Sequence, residues 1–134
     1  MDNVKKLKAA YKAWNDEQGQ GISAWLDLLA ENVVCHSLGG VVPGMKFTNP
    51  LQGKAKMVRY LSELGKNWQM VHYTPVSFIA QGNHVAVLGS CAWKSRKTGK
   101  KVSTSKADFF RFEAGKVVEF WEFYDTAKAI AATT

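Results

Sequence analysis

Residues Ala107–Ala129 read ADFFRFEAGKVVEFWEFYDTAKA, two runs of alternating side chains joined at Glu113-Ala114-Gly115. A three-residue connection ending in glycine suits a hairpin with a type I turn and a G1 bulge. The loop predicts a register in which Phe112 faces Lys116, Phe110 faces Val118, Asp108 faces Phe120 and Lys106 faces Glu122. One face then carries Lys106, Asp108, Phe110, Phe112, Val118, Phe120, Glu122 and Tyr124. The other carries Phe109, Val117, Trp121 and Phe123, and is also largely apolar. Helices can cover only one of these faces, and a bare aromatic sheet invites association. A homodimer through the second face is therefore expected.

Working outward, the period of two continues upstream. Met70 to Ala80 predicts a strand interrupted near Pro75, with Gln81-Gly82-Asn83 as its turn. Val85 to Ser95 predicts the next, turned by Lys97-Thr98-Gly99-Lys100, followed by Val102 to Phe112 and Val117 to Tyr124. Thr126 to Ala132 reads as a short closing helix, capped by Asp125 accepting from Ala127 or Lys128. In the N-terminal half the period becomes helical. Val4, Leu7, Tyr11 and Trp14 form one stripe, and Gly19 and Gly21 break it. A second helix places Ile22, Trp25, Leu26 and Leu29 on one face. Asn32 to Ser37 reads as a short strand running into a loop marked by Gly39, Gly40, Pro43, Gly44 and Pro50. Lys54 to Leu64 predicts the third helix, with Met57, Val58, Leu61 and Leu64 inward and Gly65 as its stop. Helices followed by a long antiparallel meander make an α+β pattern, read as one domain over residues 1–134.

The chain has 134 residues, 46% of them hydrophobic, including five tryptophans, four tyrosines and seven phenylalanines. That content argues against disorder and for a large apolar interior or a lined cavity. Two cysteines, Cys35 and Cys91, do not suggest a disulfide scaffold and read as buried thiols. No run approaches the ~18 apolar residues of a membrane span, and the N-terminus lacks the apolar core of a signal peptide. A cytoplasmic protein with no membrane partner is expected. The net charge of +7 is spread over scattered lysines without a nucleic-acid-binding motif, so a solvated basic surface, and no nucleic-acid partner, is the expectation. The histidines show no metal-ligand spacing and there is no phosphate-binding glycine loop, so neither a metal nor a cofactor is expected.

The stretch ADFFRFEAGKVVEFWEFYDTAKA resembles the last hairpin of the ketosteroid isomerase-related and SnoaL-like proteins, in the superfamily of nuclear transport factor 2 and limonene-epoxide hydrolase. LLAENVVCHS and PLQGKAKMVRYLSEL agree in order with the strand and third helix of that family. The resemblance implies a cystatin-like cone: three N-terminal helices packed on a curved antiparallel sheet, with a small-molecule pocket between them. Asp108 falls where ketosteroid isomerases place their oxyanion-hole aspartate, Tyr11 where they place the partner tyrosine, and His36 where they carry the general-base aspartate. Lys106-Ala107-Asp108 and Glu122 also resemble the R-x-D pair and second aspartate of limonene-epoxide hydrolases, whose water-binding tyrosine and asparagine would fall at Val34 and His36.

The chemistry of these types agrees with those roles. Asp108, flanked by phenylalanines and with Lys106 engaged by Glu122, would be favoured in its neutral form by burial and would donate to a developing enolate. Tyr11, if buried, needs a hydrogen-bond partner, and Asp108 is the obvious one. His36 would move a proton near neutral pH. Glu122 opposite Lys106 reads either as a cross-strand ion pair or as a carboxylate that activates water. Trp14, Trp93, Phe110 and Phe120, with Lys106, would line the ligand site. His72 and His84 are weaker candidates. The expected function is binding of a small apolar molecule with proton transfer of isomerase or cyclase type on a carbonyl compound. The alternatives are a non-catalytic binder and an epoxide hydrolase.

Overall fold

The structure, a computed structural model, describes residues 2–43, 45 and 51–134. Helix α1 (Asn3–Asp16) begins where Asp2 accepts from the Lys5 amide and buries Leu7, Ala10, Tyr11 and Trp14. The short α2 (Ser23–Leu28) buries Trp25 and Leu28, and β1 (Leu29–Ser37) follows at once. A 3-10 turn (Leu38–Val41) precedes the two-residue β2 (Leu51–Gln52), and α3 (Lys54–Asn67) buries Met57, Tyr60 and Leu61. Then come β3 (Trp68–Gln81), β4 (His84–Ser95), β5 (Lys101–Glu113), β6 (Lys116–Tyr124) and α4 (Thr126–Ala132). Gly44 and Pro50, two of the expected loop markers, lie outside the described residues.

The strands form one mixed, unclosed sheet in the order β2-β1-β6-β5-β4-β3. The meander β3 to β6 is antiparallel as the alternation predicts, whereas β1 joins β6 in parallel. β3 shifts register between Pro75 and Ser77, where proline cannot donate to a ladder. There its partner must be Gly89, because a Cβ at that position would stand 2.2 Å from the Thr74 carbonyl oxygen. The helices α1, α2 and α3 pack on one face and close a core rich in aromatic rings.

Three local expectations are corrected. Gly65 does not stop α3, which runs to Asn67 and passes straight into β3. The β5–β6 hairpin has no three-residue loop: Glu113 pairs with Lys116, and Ala114 (φ 49°) and Gly115 (φ 78°) form a two-residue turn of type I′ character. The extra residue is taken up inside the strand, where the register passes from Arg111↔Glu119 to Phe112↔Val117 and skips Val118. That bulge turns Val117, expected on the outer face, into the core. The remaining pairs are displaced by two residues, so Asp108 faces Glu122 and Lys106 faces Tyr124. A shift of two preserves which side each residue points to. At the C-terminus Asp125 caps α4 by accepting from the Lys128 amide at 3.1 Å.

Candidate functional site

On the helix-covered face of β5 and β6, three charged side chains meet where water is excluded. Asp108 and Glu122 are 3% and 4% exposed, and Lys106 Nζ lies between them, 2.5 Å from Asp108 Oδ1 and 3.2 Å from Glu122 Oε2. Tyr11 from α1 and Tyr73 from β3 both donate to Asp108 Oδ2, at 2.5 and 2.6 Å. Tyr60 from α3 donates to Glu122 Oε1 at 2.6 Å, and the Ser37 hydroxyl at the end of β1 donates to the same atom. Ser37 Oγ in turn accepts from the Gly39 amide at 2.9 Å. A Cβ on Gly39 would lie 2.3 Å from the Tyr124 hydroxyl, so a larger residue there would displace that ring. Each carboxylate thus has one oxygen held by two hydroxyls and one turned toward Lys106.

Burial by itself would lower the pKa of Lys106, but the charges of Asp108 and Glu122 outweigh it and hold it above its ordinary value. The ammonium also lies over the rings of Tyr73 and Tyr124, at 5.5 and 5.8 Å from their centroids. Burial raises Tyr11, Tyr60 and Tyr73 well above the ordinary phenol range, reinforced by the carboxylate that each one contacts. All three hydroxyls therefore remain donors at neutral pH.

The cluster forms the polar part of the wall of a cavity of about 110 Å³. The rest is mostly ring and thioether: Trp14 and Trp25 from the first two helices, Met57 from α3, Trp93 from β4, Phe110 and Phe120 from the hairpin. Cys91 also faces it, its thiol pushed up to about 11 by burial. Cys35, close to the cluster, is raised by burial and then by the Glu122 charge. Both thiols are free and buried.

Asp108, Tyr11, Glu122, Lys106, Trp14, Trp93, Phe110 and Phe120 all line this cavity. His36 does not, and its expected place as a catalytic residue of the site is corrected. Val33, Cys35 and Ser37 point inward, so His36 points outward by the alternation of β1. There it stacks on Trp121 (5.1 Å) with Nε2 3.3 Å from Glu119. Val34, the other position set by the epoxide-hydrolase resemblance, has the same outward parity; the inward neighbours of the cluster are Cys35 and Ser37. The expectation that Asp108 lacks a charged neighbour is corrected too, because Lys106 reaches both carboxylates. His72 bonds Thr74 and His84 is exposed, both away from the cavity.

Tyr60, Tyr73 and Ser37 were not read from the sequence as site residues. Tyr60 lay on the inward stripe of α3, where a buried phenol must find an acceptor, so a signal was present. Tyr73 and Ser37 depend on how β3 and β1 are laid against β5 and β6. Among the described residues, no group of three His, Cys, Asp or Glu side chains is arranged to hold a metal ion.

The SnoaL-like domain model matches residues 7–120. Compared with curated proteins by sequence, the chain finds no match. Among solved structures it is similar to an NTF2-like protein of unknown function from Burkholderia pseudomallei, with TM-score 0.83 and 22% identity over 100% of this chain and 99% of that one. It is also similar to a candidate isomerase from Bacillus subtilis (TM-score 0.81, 18% identity, 99% and 96% covered). A candidate polyketide cyclase from Pseudomonas putida matches with TM-score 0.77 and 17% identity, covering 98% of each chain. At these identities the structures speak for the fold: helices packed on a mixed, unclosed six-stranded sheet. With the family model spanning most of the chain on that fold, this protein belongs to the SnoaL-like domain family.

Proposed function

We propose that the protein binds a small, ring-bearing carbonyl compound in the cavity and moves a proton on it with its own side chains. The observation that carries this reading is Lys106 held between Asp108 and Glu122 beside an otherwise largely apolar cavity. Such a site can present a base and a cation to one substrate in a low-dielectric setting. Glu122 is the base. Its Oε2 is the less tightly held carboxylate oxygen, 3.2 Å from Lys106 against 2.5 Å for Asp108 Oδ1. It takes a proton from the carbon next to the carbonyl, and the resulting enolate oxygen is stabilised by the Lys106 ammonium. A proton is then returned from Glu122 to a carbon or to the oxygen, and where the acid has first exchanged with deuterated solvent, return to the original carbon leaves a deuterium there. The isomerase and cyclase names of structural neighbours agree with this chemistry.

The test is α-proton exchange of 1-tetralone in deuterated water. The protein should catalyse it, and Glu122→Gln should slow it by ~10² or more. Binding without exchange would leave a non-catalytic binder. The shared cation also favours a second reading, since of two carboxyl groups around one ammonium the ionised one can activate water and the protonated one can give its proton to a leaving oxygen. That enzyme would open cyclohexene oxide and leave 1-tetralone unexchanged.

A homodimer is proposed on separate grounds. Leu88, Phe109 and Phe123 are 44%, 43% and 39% exposed on the outer face of the sheet, next to Trp121. A second copy would cover them. Sedimentation at micromolar concentration should give twice 14.9 kDa, and the monomer mass alone would remove this.

A further inference from the structure

Two tryptophan side chains in the cavity wall have no role in the cluster around Lys106. Trp14 on α1 and Trp25 on α2 are 7% and 8% exposed, and both line the cavity. Their Nε1–H groups are buried with no acceptor among the described residues. Buried indole N–H groups ordinarily find a partner, because an unmade hydrogen bond in the interior costs the full desolvation of the donor. The two lie on adjoining rings, with centroids 5.9 Å apart and planes at 85°. The rings are fixed by their neighbours. Trp14 packs against Tyr73 and Trp93, and Trp25 packs edge-on against Tyr11 and flat against Phe110. Phenylalanine would fill similar apolar space without burying an N–H.

We infer that Trp14 and Trp25 form a donor pair that accepts an oxygen-bearing edge of the ligand, distinct from the carbonyl that meets Lys106. The inference rests on the proposed binding of a ring-bearing carbonyl compound in this cavity, and it narrows the ligand class. The site takes ring compounds with a second acceptor oxygen, such as diketones or acyl-substituted ketones, over the same skeleton with alkyl groups only. A site built to hydrogen-bond an oxygen rejects the analogue that lacks it, because its donors are then left unpaired. Tyr11 and Tyr73, which touch these indoles and also bond Asp108, place the second acceptor one layer of rings away from the charged cluster.

The test compares 6-acetyl-1-tetralone with 6-isopropyl-1-tetralone, which have nearly the same shape but differ in one acceptor. The wild-type protein should bind the acetyl compound about tenfold more tightly. That preference should fall severalfold in Trp14→Phe and in Trp25→Phe. The assigned indole N–H resonances of Trp14 and Trp25 in the wild-type protein should move downfield with the acetyl compound and much less with the isopropyl one. This second readout needs no variant to fold. Equal affinities with unmoved indole signals would overturn the donor pair alone, as would a preference that survives both variants. Failure of both ketones to bind at millimolar concentration would overturn the donor pair together with the reading it rests on. α-Proton exchange, followed in the same samples, reports separately on the proposed chemistry.

Discussion

The two faces of the β5–β6 hairpin carry the same kinds of charged group with opposite surroundings. Inside, Lys106 joins Asp108 and Glu122, with side chains 10%, 4% and 5% exposed. Outside, Arg111 joins Glu119 at 2.7 Å and Glu113 at 2.8 Å, and His36 adds a contact to Glu119. The outer network has distances comparable with those inside, yet water competes with every bond in it, and pairs of that kind contribute little. The inner network has no such competitor. Its charges are compensated only by one another and by four hydroxyls, so removing the Lys106 cation leaves two carboxylates without a counter-charge in a low-dielectric interior. Distance is therefore a poor guide to which cluster matters, and burial is a good one.

The sharpest way to break the comparison is to delete the cation on each side. Lys106→Met should destabilise the fold by about 3–5 kcal/mol at pH 7, because two carboxylates remain buried together. Arg111→Met should leave the denaturant midpoint close to that of the wild-type protein. Similar losses for the two variants would mean that burial is not what separates the faces.

Catalysis gives the next largest contrast. Glu122→Gln should slow α-proton exchange of 1-tetralone by ~10² or more, whereas His36→Ala should leave it within about twofold of wild type, since its ring lies on the outer face. A large loss in the histidine variant, read by deuterium incorporation, would contradict the placement of the reaction on the inner face.

The faces should also fail at opposite ends of the pH scale. Tyr11, Tyr60, Tyr73 and Lys106 all have folded-state pKa values raised above their ordinary 10.0 and 10.5. Groups raised in this way contribute stability that is fully present below the unfolded value and is lost as pH rises beyond it. Urea unfolding should therefore weaken above about pH 10, with the phenol absorbance changing only as the protein unfolds. On the outer face, the hydrogen bond from Arg111 lowers Glu119 below its ordinary 4.5. Its contribution is present above that value and fades as pH falls through the lowered one, and its exposure makes the change small. Early phenol titration in the folded protein would show that the inner cluster is open to water.

The smallest effect concerns the turn that joins the two strands. Ala114 adopts φ 49°, a conformation that glycine reaches without the Cβ clash. Ala114→Gly should stabilise the hairpin by roughly 0.5–1 kcal/mol and leave both clusters intact, as read from thermal unfolding and tetralone exchange together.

Much of the candidate site was legible from one strand pair. Period-two alternation put Lys106, Asp108, Phe110, Phe120 and Glu122 on one face, and an error in the loop type left that grouping untouched because it displaced the register by an even number. The need of a buried phenol for a partner led from Tyr11 to Asp108, 97 residues apart. Side-chain parity and the demand for hydrogen bonds are local rules, so the chain carries them wherever its elements come to rest. What the tertiary structure alone decided was contact between elements that no turn connects. The parallel seating of β1 on β6 sent Ser37 to Glu122 and His36 away from it, and nothing within NVVCHS states which parity faces the helices. The packing of β3 and α3 over β5 and β6 brought Tyr73 and Tyr60 to the two carboxylates. Lys106 was drawn to both acids rather than one because the fold buries all three together, and the two carboxylate charges hold its ammonium against the penalty of burial.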